Sequence, residues 1–121
     1  MPLVVVTRNP QFVRDEALPA LAHLLQVAVS THLHVKEEGG DLTPEEVEVR
    51  FRESGPHDVN SLDFQVEVIA NWFASRFARI DERAVLIANQ IMDSDILPEH
   101  LFNSKRAFVW IILADAGFHL F

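Results

Sequence analysis

The sequence contains no cysteine, which excludes disulfides, zinc–thiolate sites and thiol nucleophiles together. Positive charge is scarce: ten Lys and Arg stand against eighteen Asp and Glu, a formal charge of −8. That balance argues against a general phosphate-backbone binder and against a polybasic membrane anchor. Long apolar runs are missing as well. The first, Leu3 to Val6, is too short for a signal-peptide core and is ended by Arg8 and Asn9. Nothing approaches the roughly 20 apolar residues of a membrane span. There is no glycine-rich phosphate loop, no Gly-x-Ser-x-Gly elbow and no aromatic-plus-basic strand pattern for RNA. The six histidines show no ligand spacing: His32 and His34 are two apart and cannot share a helical face, while His57, His100 and His119 fall in expected loops or the tail. No metal, cofactor, nucleic acid or membrane is therefore expected. What remains, at 121 residues and 49% hydrophobic, is an acidic, cytoplasmic globular chain, one domain over 1–121.

Two kinds of segment alternate along it. Pro2 to Thr7 (PLVVVT) is β-branched and apolar throughout, as a strand buried on both faces would be. From about Ala17 to His34 the residues Leu18, Leu21, Leu25 and Val29 keep helical spacing, with Asp15 and Glu16 at the start. Glu46 to Glu53 alternates, setting Val47, Val49 and Phe51 against Glu48, Arg50 and Arg52, and Asp63 to Ala70 alternates again. A second helix, beginning between Ala74 and Asp81 and ending near Met92, carries the stripe Phe77, Ile80, Ala84, Ile87 and Ile91. Arg106 to Leu113 is a last apolar strand, and Phe118 to Phe121 a strand-like tail.

The order is strand–helix–strand twice, in halves of about 1–58 and 59–121. Each half reads as one right-handed βαβ unit with parallel strands. Together they predict an α/β (α+β) fold: a four-stranded mixed sheet with both helices on one face. Strands as apolar as PLVVVT and FVWIIL would then expose too much on the other face, so self-association is expected, long loops over that face being the alternative.

The Met-Pro opening into a strand, followed by PLVVVT, DEALPAL (Asp15 to Leu21) and VEVRFRES (Val47 to Ser54), resembles the tautomerase superfamily. That family includes 4-oxalocrotonate tautomerase, macrophage migration inhibitory factor and 5-carboxymethyl-2-hydroxymuconate isomerase, the last nearest in pattern. The resemblance implies a homotrimer with active sites at subunit boundaries, and a catalytic proline, Pro2, exposed by removal of Met1. The chemistry is sound: a chain-terminal proline is a secondary amine, and an apolar pocket with a nearby guanidinium disfavours its charged form. A base poised near neutrality can take a proton from carbon or oxygen and return it elsewhere on the substrate, with no cofactor. Pro2 is otherwise merely a residue tolerated at a strand start.

Arg8 stands where the resemblance places a carboxylate-binding arginine, and its fork suits a small enol or keto acid; a solvated loop charge is the alternative. Glu48 departs from the pattern, which has an arginine there that polarises the substrate. Arg50 and Arg52 follow on the same strand face as replacements, or as members of a structural Glu–Arg network with Glu67. Phe108 and Trp110 share a face of the last strand, as a substrate-lining aromatic wall or as packing. Two functions follow: a tautomerase acting on a small carboxylate, or a non-catalytic trimeric binding or scaffold protein that keeps the fold.

Overall fold

The computed structural model describes residues 2–37, 39–59, 61–103 and 105–115. Strand β1 (Leu3–Arg8) leads through a short 3-10 turn, Asp15–Ala17, to helix α1 (Leu18–Leu33) and then to β2 (Glu48–Glu53). Strand β3 (Phe64–Asn71) is followed by α2 (Ala74–Phe77), α3 (Ile80–Asp93), α4 (His100–Asn103) and β4 (Ala107–Ala114). The strands form one sheet in the order β2-β1-β3-β4. β1 runs parallel to β2, β3 runs parallel to β4, and the two pairs meet antiparallel at β1 and β3. The mixed four-stranded sheet expected from the two halves is therefore the one observed.

Alternation decides which side chains reach the core. Val4 and Val6 of β1, and Phe64, Val66, Val68 and Ala70 of β3, point to one side and are buried with Leu21, Leu25, Val29 and Leu33 of α1 and Ile87 and Ile91 of α3. Leucines four apart on α1 give its inward stripe, and Pro19 is accommodated in its first turn, where no backbone donor is needed. The opposite face of the sheet carries Leu3, Val5, Gln65, Glu67, Ile69, Phe108 and Trp110 by register. No described helix packs there, and Trp110 is 59% exposed.

Three details differ from the expectations. Asp15 and Glu16 do not sit in the first turn of α1; they form the 3-10 turn before it. Phe77 does not extend the α3 stripe. Arg79 takes a left-handed conformation (φ 61°) that breaks the chain between α2 and α3, leaving Phe77 56% exposed. α4, only four residues long, is too short to leave a periodic signature. The tail Phe118 to Phe121 lies outside the described residues.

Because Leu25 has no exposed surface and Phe77 is mostly exposed, truncating them must have unequal effects. Leu25→Ala should cost about 2–5 kcal/mol, and Phe77→Ala no more than about 0.5 kcal/mol. Urea denaturation of both variants checks this; equal losses would mean that α2 packs as the stripe had suggested.

Candidate active site at the Pro2 end of the sheet

Pro2 is buried immediately before β1. Its carbonyl accepts the Glu48 N–H at 3.1 Å, so its position is pinned by β2. Leu3 lies opposite Ile69; continuing that register by one residue sets Pro2 beside Ala70, on the same side as Val4 and beneath the helices. The carboxyl ends of β3, β4 and α1 and the amino end of β2 all come to this end of the sheet.

The same end holds a buried cation. Arg76 on α2 is only 2% exposed. Its Nε donates to the Leu33 carbonyl (2.8 Å), Nη1 to Asn71 (2.8 Å) and Nη2 to Gly40 (2.9 Å). The Phe73 ring lies 5.0 Å from the guanidinium carbon, within cation–π range. Arg83 donates to the carbonyls of His32 (2.6 Å), Ser75 (3.0 Å) and Ala78 (3.2 Å). These two arginines thus satisfy the last carbonyls of α1, at the negative end of its dipole. Burial, reinforced by Arg83 and opposed by Glu37, lowers the Arg76 pKa. Gly40 is required at its position: a Cβ there would collide with Val35, and its carbonyl serves both Arg76 and the Val35 N–H.

Sequence reasoning left the start of the second helix open between Ala74 and Asp81 and did not pick Arg76. The available signal was an arginine set among aromatic and small residues in NWFASRFA, where a surface charge would be out of place.

The other candidates lie elsewhere. Arg8 is the last residue of β1, six residues from Pro2, or about 20 Å at strand rise. It is not a solvated loop charge. Sharing the side of Val4 and Val6, it is 5% exposed. Its donors reach the Val13 carbonyl (2.7 Å), Asp15 (2.6 Å) and Glu53 (3.2 Å), while Nε has no partner among the described residues. Arg50 lies on the helix-free face and pairs with Glu48 at 3.0 Å, both partners being exposed. Arg52 is exposed beside Thr7. Glu67 does not lie directly across from Arg50, because Val5 of β1 stands between them in the register. Phe108 and Trp110 share the helix-free face, opposite Gln65 and Glu67, two strands from β1. One copy of the chain therefore brings Arg76, and not Arg8, Phe108 or Trp110, to the Pro2 end.

An apolar cavity of ≈ 140 Å³, lined by Phe64, Ile91, Met92, Phe102 and Val109 among others, opens at the far end, where β3 and β4 begin. Among the described residues, no group of three His, Asp or Glu could hold a metal ion, and no helix is long and apolar enough to cross a membrane.

No family model and no curated protein matches the sequence. Solved structures do match the fold. MIF2 of Leishmania major is 16% identical with a TM-score of 0.57, over 98% of this chain and 93% of that one. An asymmetric trimer of fused 4-OT is 16% identical with a TM-score of 0.61, covering 96% and 91%. Malonate semialdehyde decarboxylase is 9% identical with a TM-score of 0.64, covering 93% and 84%; its structures include a variant whose N-terminal proline is replaced by alanine. The chain thus shares the fold of these MIF2, fused 4-OT and malonate semialdehyde decarboxylase structures.

Asp15 and Glu53 are 82% and 63% exposed at their side chains, so both return to water if Arg8 is removed, and only the Val13 carbonyl loses a buried donor. Arg8→Met should therefore cost about 1–2 kcal/mol in urea denaturation. A loss of about 4 kcal/mol or more would instead mark a fully buried ion-pair network.

Proposed function

We propose that the chain is a cofactor-independent tautomerase that moves a proton on a small enol or keto carboxylic acid. The observation that carries this reading is a buried proline at the head of the central strand β1 in a tautomerase-type fold. Removal of Met1 would leave Pro2 as a secondary amine. In its neutral form the amine takes the proton from the enol oxygen or from the carbon beside the carbonyl, and the resulting ammonium returns it at the other position. Substrate and amine thus exchange one proton in each direction, and no redox partner is needed.

Arg50 is the best placed of the predicted arginines for the substrate carboxylate. It is exposed, and its partner Glu48 is an exposed pair of the kind worth little in water, so a ligand carboxylate can displace it; Arg52 stands behind it on the same face. Arg8 is buried and held by Val13, Asp15 and Glu53 within its own copy, whereas Phe108 and Trp110 would reach such a site from a neighbouring copy. Assembly as a homotrimer accounts for that and also covers the helix-free face; the 4-OT structures of similar fold are trimers. A cytoplasmic enzyme agrees with an acidic chain that lacks cysteine.

A second reading, a trimeric binding or scaffold protein without catalysis, draws on one observation: Glu48, at the position of an expected arginine, is occupied with Arg50.

Intact-mass measurement first establishes whether Met1 is removed. With a free Pro2, Pro2→Ala should reduce enol-pyruvate tautomerase turnover about 100-fold or more while sedimentation is unchanged; full turnover in this variant would remove Pro2 as the base, and a wild type with a free Pro2 but no turnover would assign the chain to the second reading. Arg50→Ala should lower kcat/KM about tenfold, chiefly through KM.

A further inference from the structure

We infer that Arg76, whose donors go to backbone carbonyls, is a positioning residue that sets the proton affinity of the Pro2 amine. The inference rests on the reading of Pro2 as the base and adds the group that tunes it. Backbone direction supplies the geometry. Along a strand, successive residues present their N–H and C=O to alternate neighbours. The Trp72 N–H donates to the Ala114 carbonyl, so residue 72 faces β4. The Asn71 carbonyl must then face β1. There it accepts Nη1 of Arg76 at 2.8 Å. The guanidinium consequently stands at the point where the β1–β3 ladder ends, just beyond the Leu3–Ile69 pair. Pro2 occupies that same end of β1, with its own carbonyl turned to β2. Backbone dimensions set the guanidinium and the Pro2 nitrogen within about 10 Å of one another.

The charges around this point leave the guanidinium field largely uncompensated. Among the described residues, all three acceptors of Arg76 are backbone carbonyls, and those of Arg83, the next cation on α3, are carbonyls too. Among the described residues the nearby carboxylates are Glu37, exposed and held by the Ser75 hydroxyl, and Glu48, occupied with Arg50 on the other face of β2. A buried positive charge beside an amine disfavours its protonated form, and salt screens it poorly. In a chain of charge −8, whose overall field would favour an ammonium, this local inversion is what a neutral base near pH 7 needs.

The test is an NMR titration of 15N-labelled Pro2 in protein whose Met1 has been removed. The wild-type amine should titrate below the ordinary α-amino range of about 7.7–8.0. Arg76→Met should raise that pKa by about one pH unit or more, and Arg76→Lys, which keeps the charge, should stay near the wild type. Arg76 is buried, so its Met variant can fail to fold. Glu37→Lys, on the exposed side, then decides the matter: it should lower the Pro2 pKa by a few tenths of a unit, since it removes the opposing charge. An unchanged pKa in Arg76→Met, or in Glu37→Lys where the former does not fold, overturns the inference. So does a wild-type amine with an ordinary pKa. The titration does not depend on turnover, so full activity of Pro2→Ala would sink the proton-shuttle reading and leave this inference standing. Retention of Met1 in the natural protein would overturn both.

Discussion

The arrangement depends on a single constraint: the described helices cover only one side of the sheet. Every second residue of β1 and β3 goes beneath them, and every other one faces the bare side. The parity that buries Val4 and Val6 also draws Arg8 inward, where a guanidinium must find acceptors. It finds them in Val13, Asp15 and Glu53, and by doing so ties the end of β1 to the turn before α1 and to the end of β2. The same parity puts Pro2 under the helices and Trp110 in the open. A slip of one residue would exchange these roles, which is why the register is strongly specified.

The parts of this fold legible in the sequence were those set by period. Alternation in EVEVRFRE and DFQVEVIA, together with the continuous apolar runs, located all four strands to within two residues, and leucine spacing located α1. What escaped was set by single residues acting through tertiary contact. The left-handed Arg79 ends α2 and detaches Phe77 from the α3 stripe, and no propensity marks an arginine for that conformation. The position of Arg8 followed from its parity with Val4 and Val6, but a charged residue after an apolar strand reads equally well as the start of a loop. Arg76 was hidden for a similar reason. Arginine is rarely fully buried, and the three carbonyls that hold it come from residues 33, 40 and 71, far apart in the chain.

Arg76 and Arg83 show how a helix end is closed without glycine or a side-chain cap. α1 ends at His34 in extended conformation, so its final carbonyls would be left without donors near the buried end of the sheet. Unsatisfied buried carbonyls cost about 1–3 kcal/mol each. Two guanidinium groups supply the donors, and the Gly39–Gly40 turn brings one further carbonyl into reach, with Gly39 in the left-handed region. The structural need comes first: arginine is the side chain with enough N–H groups, in fixed directions, to meet three separate acceptors. Its electrostatic influence on the neighbouring strand end is then a consequence of having been placed there.

The distribution of the remaining candidates bears on how a site could be completed. Pro2 and Arg8 mark opposite ends of one strand, and Phe108 and Trp110 lie on the face turned away from the helices. No movement of side chains within one copy can span about 20 Å of strand. Under the proposed function, chemistry and assembly are therefore linked: the bare face that makes a lone copy unfavourable is also the face that carries the aromatic residues and Arg50. Packing that face against another copy would remove Trp110 from water, whereas Pro2, under the helices, is buried within a single copy already. Desolvation and the Arg76 charge act in the same direction on an amine. The weakened base is then a property of the single copy, and loss of assembly should diminish catalysis through the residues that a neighbouring copy supplies.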